Sequence, residues 1–359
     1  MRPLTRAAIV AGSIVVVAAV ALGVRSMNAW GVFTDVTPGF AGICMKVPTA
    51  DGPEDIAIDE HAGLVFVSAL DRRIKARTGK LSPADGLYVF SLNDPVPHPR
   101  KLAGAPKDFH PHGISLYRSG GTLTLMAINH RSDGTHSIDI FAVNGAGADA
   151  TLAEMGSIQS GELINPNAIA AVDAERFYVT NDHISTTTFG KTLDDLLALP
   201  RTNTLYFDGT VFRPAAGRMI FPSGAVVGGN GRYLYVGEAY ARRVTAFERN
   251  PFSGELQSIG ELALPINPDN LRKGSDGVLW VAGRPKPWAM GAYRDDPTKP
   301  APSEVLKVFL NNGVPVSATP VYTNMGDEIG GASVAAVSGH RMFIGAPLDN
   351  HILDCRMDH

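Results

Sequence analysis

Six short stretches of the chain lead into apolar runs at a near-regular interval. They begin near Glu54, His112, Asn167, Ser223, Asp269 and Ser333, at spacings of 58, 55, 56, 46 and 64 residues. A period of roughly 50 residues marks repeated supersecondary units, and six of them predict a six-bladed β-propeller whose equivalent loops converge on one axis. The expected fold class is therefore all-β. Convergence has a chemical consequence. Glu54, Asn167, Asp269 and Asn270, at matching points of different blades, would aim hard oxygen donors at one central site, which is the composition of a calcium cage.

Local patterning agrees with strands almost throughout. Ile56–Ile58, Gly63–Ser68 and Gly86–Ser91 are β-branched and aromatic runs separated by turn residues, and the same rhythm returns at Leu123–Ile128, Arg176–Thr180, Tyr233–Val236, Ser275–Val281 and Met342–Gly345. One segment reads as helical, Lys191–Leu199, where Leu193, Leu196 and Leu197 fall at helical spacing ahead of Pro200. The spacing predicts a surface or lid helix over one face of the ring.

A chain of 359 residues could hold two domains, but no Pro/Ser/Gly linker divides it, so residues 31–359 read as one propeller. The 38 Gly and 25 Pro, with 19% charged residues, suit a turn-rich β protein. Net charge is −3 with no long basic run, which argues against nucleic acid as a partner.

Residues 1–30 read as a signal anchor and short linker. Ala7–Val24 is uncharged and mostly apolar behind Arg2 and Arg6, long enough at about 1.5 Å per residue to approach the thickness of a bilayer core. Arg25 and Met27 interrupt any small-x-small cleavage pattern. The expectation is an uncleaved membrane anchor with an extracytoplasmic domain; a cleaved signal, giving a secreted or periplasmic protein, is the alternative. Both put the domain in an oxidising place. There, Cys44 and Cys355 would form a bridge stapling first strand to last, against the alternative of two unrelated buried thiols.

Several separate motifs carry a family resemblance: Gly52-Pro-Glu-Asp-Ile56, Pro111-His-Gly-Ile-Ser115, Asn129-His130, Thr180-Asn-Asp-His183, Asp269-Asn270, Leu279-Trp-Val281, Ser303-Glu-Val-Leu306 and the late Cys355. Together they resemble the paraoxonase/arylesterase family, calcium-dependent six-bladed propellers that hydrolyse lactones and aryl esters; gluconolactonase-like propellers are wider relatives. The resemblance implies a catalytic calcium held by Glu54, Asn167, Asp269 and Asn270. A fifth ligand, Asn in the family, falls on Ser223, whose hydroxyl is a shorter and weaker donor. It also implies a second, structural calcium at Asp55 and the Ile114 carbonyl, but the family's other acidic ligand falls on Ala168, so this site is expected to be weakened or lost.

The resemblance further makes His112 and His130 a His–His dyad, one imidazole taking a proton from water and the other orienting it, which an unperturbed pKa near 6.5 suits. The competing expectation is that Glu54 or Asp269 activates the water, or that the histidines are satisfied core residues. Asp182 and His183 are expected to orient ligands, and Phe221 and Arg284 to line the pocket. The family has His at the position of Arg284 and a free Cys at that of Gly283. Arg284 would then favour an anionic or polar substrate group, unless it is merely solvated.

Other chemistries fit less well. Gly331-Ala-Ser-Val-Ala335 lacks the last glycine of a nucleophile elbow, Gly190-Lys-Thr192 lacks the first glycine of a phosphate loop, and zinc motifs are missing. The expected function is calcium-dependent hydrolysis of a small-molecule lactone or aryl ester. The rivals are a non-catalytic calcium-stabilised propeller acting as a binding scaffold, and a metal-independent lyase or synthase on the same fold.

Overall fold

Each apolar run of the repeat becomes the innermost strand of an antiparallel sheet: Pro53–Asp59, Pro111–Ser119, Pro166–Ala171, Pro222–Gly228, Asn267–Lys273 and Val334–Ser338. The computed structural model describes residues 3–145 and 147–358. Its inner strands touch in sequence around a ring, the sixth packing back on the first. The chain is a six-bladed β-propeller, five blades of four strands and one of five.

The alternation of burial along each strand explains why the blades stack. Among the described residues, each of the six interfaces between neighbouring blades has its own apolar cluster. Leu64, Phe66 and Leu87 of the first blade meet Phe109, Leu125 and Phe141 of the second, and Val65, Val67 and Phe90 of the first meet Val334 and Phe343 of the sixth. Burial on both faces of a sheet is what these Val- and Phe-rich runs require.

Ring closure joins distant parts of the chain. Gly42–Pro48 forms the outer strand of the sixth blade against His351–Met357, with Cys44 and Cys355 as direct partners, and the expected disulfide links them. Gly39–Phe40 adds a fifth strand to the fifth blade.

Four α-helices are described. α1 (Pro3–Ala29) contains a span, Gly12–Ala29, long and apolar enough to cross a membrane, with mean hydropathy 1.6 and 6% of it buried. Arg2, read above as one flanking charge, lies outside the described residues. α2 (Arg72–Thr78) starts at Asp71, whose carboxylate accepts from Ile74 N–H, and ends at Gly79 in the left-handed region. α3 (Thr188–Leu197) is the expected surface helix. It begins three residues before Lys191 because Thr187 caps it, accepting from Gly190 N–H at 3.1 Å, and it closes at left-handed Ala198 ahead of Pro200. α4 (Ala289–Asp295) follows Pro287. α2 and α4, seven residues each, were not expected from the sequence, since so short a segment shows little helical period.

Candidate active site

Proline sets the geometry of the ring's centre. Pro53, Pro111, Pro166 and Pro222 each open an inner strand, and Pro268 is second in its strand. Proline has no N–H to give a ladder and is tolerated at strand starts and bulges. After each of the five the register slips, so that Glu54, His112 with Gly113, Asn167 with Ala168, Ser223, and Asp269 with Asn270 lie in β-bulges. A bulge re-aims a side chain off the normal alternation. Here five of them deliver polar groups to one end of the channel.

These side chains meet as expected. Asn270 Nδ2 donates to Glu54 Oε1 at 2.9 Å, and His112 Nε2 stands 3.3 Å from Glu54 Oε2. Burial alone would raise the Glu54 carboxyl, but His112, Arg72 and Asn270 together outweigh it and hold the pKa at about 2. Burial raises Asp269 despite Arg284, which donates to its Oδ2 at 2.5 Å. Two acceptors, Glu54 Oε2 and Asn167 Oδ1, are buried without a hydrogen-bond partner among the described residues. Orphaned buried oxygens facing one another's neighbours are what a bound cation resolves. Among the described residues no group of three or more His, Cys, Asp or Glu forms a metal cluster; this donor set instead combines two carboxylates with amide oxygens. It fits a hard divalent cation.

The other site residues divide by what they touch. Ser223 is in the ring and buried, but its hydroxyl donates to the Pro268 carbonyl at 2.8 Å. Asp182 accepts from Asn167 Nδ2 at 3.0 Å and pairs with His183 Nδ1 at 2.8 Å; His183 Nε2 pairs with Asp195 at 2.8 Å. Burial disfavours the imidazolium, yet the two carboxylates outweigh it and raise His183 to about 9. The charged ring thus fixes Asp182, which fixes the Asn167 amide. Phe221 packs edge-on against His183 and Tyr240. Arg284 is not solvated: it lines the cavity, bonded to Asp269 and to the Gly331 carbonyl. A Cβ at Gly283 would stand 2.2 Å from the Asn267 carbonyl, which explains why no side chain is found there.

The second calcium site does not fit this chain. Asp55 is neither solvated nor free. Its Oδ2 accepts from Ile114 N–H at 2.8 Å, and the guanidinium of Arg272 bonds Asp55 Oδ1, the Ile56 carbonyl at 2.6 Å and the Ile114 carbonyl at 3.3 Å. Ala168 packs into the apolar cluster between the third and fourth blades. A guanidinium thus lies between Asp55 and Ile114, where an ion was expected.

His112 Nδ1 lies 2.8 Å from His130 Nε2, and His130 Nδ1 lies 2.9 Å from His136 Nδ1. Burial, then His112 and His136, hold His130 well below the ordinary histidine value. His136 went unnoticed in the sequence, although the hairpin that pairs it directly with His130 was a usable signal. Arg272 was likewise missed; alternation places it on the face of Asn270. Arg72, Lys75, Trp30, Tyr240 and Trp288 complete a cavity of about 830 Å³ over the site. They come from segments with no repeat to mark them.

A model of the family described as Arylesterase matches residues 81–357. The chain belongs to the arylesterase family. Among curated relatives, serum paraoxonase/arylesterase 2 of Bos taurus is 29% identical over 312 residues, covering 85% of this chain and 86% of the relative. Serum paraoxonase/arylesterase 1 of Rattus norvegicus is 28% identical over 321 residues, covering 87% and 88%. A solved structure of a putative gluconolactonase superposes with a TM-score of 0.54 at 15% identity, over 90% of this chain and 97% of that one, and shows the shared fold. As an arylesterase-family member the chain is an ester or lactone hydrolase. All the bulge residues named above except Glu54 fall inside the matched segment.

Proposed function

We propose that this chain is a calcium-dependent hydrolase of lactones or aryl esters, with His112 as the general base. The observation that carries the reading is the pair of unbonded buried acceptors, Glu54 Oε2 and Asn167 Oδ1, beside an imidazole at the floor of a large cavity. Calcium held by Glu54, Asn167, Asp269 and Asn270, with Ser223 as a weak fifth neighbour, would polarise the substrate carbonyl and stabilise the developing oxyanion.

One arrangement of protons satisfies the histidine chain from inside outward. His112 Nδ1–H donates to His130 Nε2 and His130 Nδ1–H donates to His136 Nδ1. His112 Nε2, 3.3 Å from Glu54 Oε2, would then present a lone pair to the cavity once a cation occupies that carboxylate, fit to take a proton from water. The low basicity of His130 supports its remaining neutral and orienting His112. Asp182 and His183 hold the Asn167 amide, and the aromatic wall excludes water.

The chain's setting follows from α1 and the disulfide. We read α1 as a membrane anchor holding the propeller in an oxidising compartment; removal of α1 as a cleaved signal would release the same domain.

The test is kinetic and metal-linked. Chelation should abolish hydrolysis of a γ-lactone and of phenyl acetate, and calcium should restore it. Asp269→Ala should lose calcium binding and turnover together, whereas His112→Gln should keep calcium and lose about 10²-fold or more in kcat. Full activity in chelator rejects the mechanism; calcium binding with no turnover on any ester or lactone favours the scaffold.

A further inference from the structure

We propose that α2 makes the cavity selective for esters and lactones that carry a carboxylate, with Arg72 and Lys75 as the residues that read it. The inference deepens the hydrolase reading and rests on it.

The segment Arg72-Arg-Ile-Lys-Ala-Arg-Thr78 holds four cations and no acid. Arg73 has a structural role, donating to the carbonyls of Leu348, Tyr293 and Arg294 and covering the Tyr293 ring. Arg72 and Lys75 have none of comparable extent. Three residues apart, they share one helical face, and both line the substrate cavity. Arg72 Nη2 is buried and lacks a hydrogen-bond partner among the described residues, with Glu54 Oε2 3.9 Å away. Lys75 has no ion-pair partner among the described residues. Burial, and then the like charges of Arg72 and Lys191, hold its ammonium below the ordinary lysine value.

Charge balance points the same way. Arg72, Lys75, Arg284 and Arg294 line the cavity opposite Glu54, Asp182, Asp195 and Asp269. The His183 imidazolium, paired with Asp182 and Asp195, and Asp295, paired with Arg294 at 3.6 Å, leave the protein charges in balance, and a bound divalent cation would add two positive charges. Clustered cations without a countercharge repel, and an incoming carboxylate relieves that while gaining charge-assisted hydrogen bonds. Half-exposed Trp288, with Phe221 and Tyr240, offers faces for the rest of the substrate.

The experiment compares 4-acetoxybenzoate with its neutral isostere 4-acetoxybenzamide, on the full chain with calcium. The amide has the more acidic phenol leaving group, so intrinsic reactivity opposes the expected preference. Wild type should favour the carboxylate by about tenfold in kcat/KM, and the preference should shrink as ionic strength rises. Lys75→Gln and Arg72→Met should each bring the ratio toward one, Arg72→Lys should keep part of it, and Lys75→Glu should invert it. A carboxylate held only by the metal would keep its advantage in every variant, and that result overturns the proposal, as does equal kcat/KM in wild type. If neither ester is turned over, the hydrolase reading fails separately. Calorimetric binding of 4-hydroxybenzoate against 4-hydroxybenzamide then decides this one: tighter benzoate binding lost in Lys75→Gln supports it, and equal binding overturns it.

Discussion

His183 shows what one side chain contributes here. Its ring lies between Asp182 and Asp195, 2.8 Å from each, and its pKa rises to about 9. The unfolded chain titrates near about 6.5, so the protonated ring is the form that folding favours. Its stabilisation is therefore complete below about 6.5 and is lost as pH climbs through about 9. The thermal midpoint of wild type should fall across that interval, and His183→Gln should remove that part of the fall while lowering the midpoint in mild acid. Parallel melting profiles for the two proteins would show that the ion pair does not form. The sequence singled out Asp182 and His183 through the Thr180-Asn-Asp-His183 motif after a strand, but it hid Asp195, which reaches them only once α3 folds over the ring.

Among elements, the bulged inner strands decide the site, and they were also the most legible feature. A proline followed by a polar residue recurs at Glu54, His112, Asn167, Ser223 and Asp269, so the repeat carried both the fold and the candidate site residues. Close contact between neighbouring blades near the axis was less visible. A Cβ at Gly224 would lie 2.2 Å from the Asp269 carbonyl, at Gly113 2.4 Å from that of Asn167, and at Gly345 2.5 Å from that of Pro53. Each glycine lets one blade approach the backbone of a site-bearing strand in the next. Gly224→Ala should cost about 1–3 kcal/mol of stability by overpacking and weaken calcium binding, checked by melting and by calcium titration. A fully stable variant with unchanged affinity would mean that the strands have slack. The cavity walls were illegible for a different reason: α2 and α4 are short insertions between strands, outside any period that a sequence pattern could follow.

For the whole molecule, Arg272 bears on how the ring is held at its axis. It belongs to the fifth blade and bonds Asp55 and Ile56 of the first and the Ile114 carbonyl of the second. The sequence suggested a faltering ion site because Ala168 supplies no oxygen; it did not show that a cation from the chain itself had moved in. Removing that cation leaves Asp55 buried and unpaired, so Arg272→Ala should cost about 3–5 kcal/mol, and added calcium should not restore it. Recovery of the wild-type melting temperature in calcium would mean that an ion can still lodge there.

The sixth blade sets residues 42–48 beside three strands from residues 334–357, its two outer strands joined by a disulfide across a separation of 311 residues. During synthesis the early strand leaves the ribosome beside the apolar helix and must wait, edge exposed, while five blades form behind it. Residues 334–345 already seat the sixth blade against the first, and only the arrival of the last strand gives the early one its partner. A nascent chain halted before residue 351 therefore keeps an unpaired outer edge and a free Cys44 thiol, each in want of a partner still to be made.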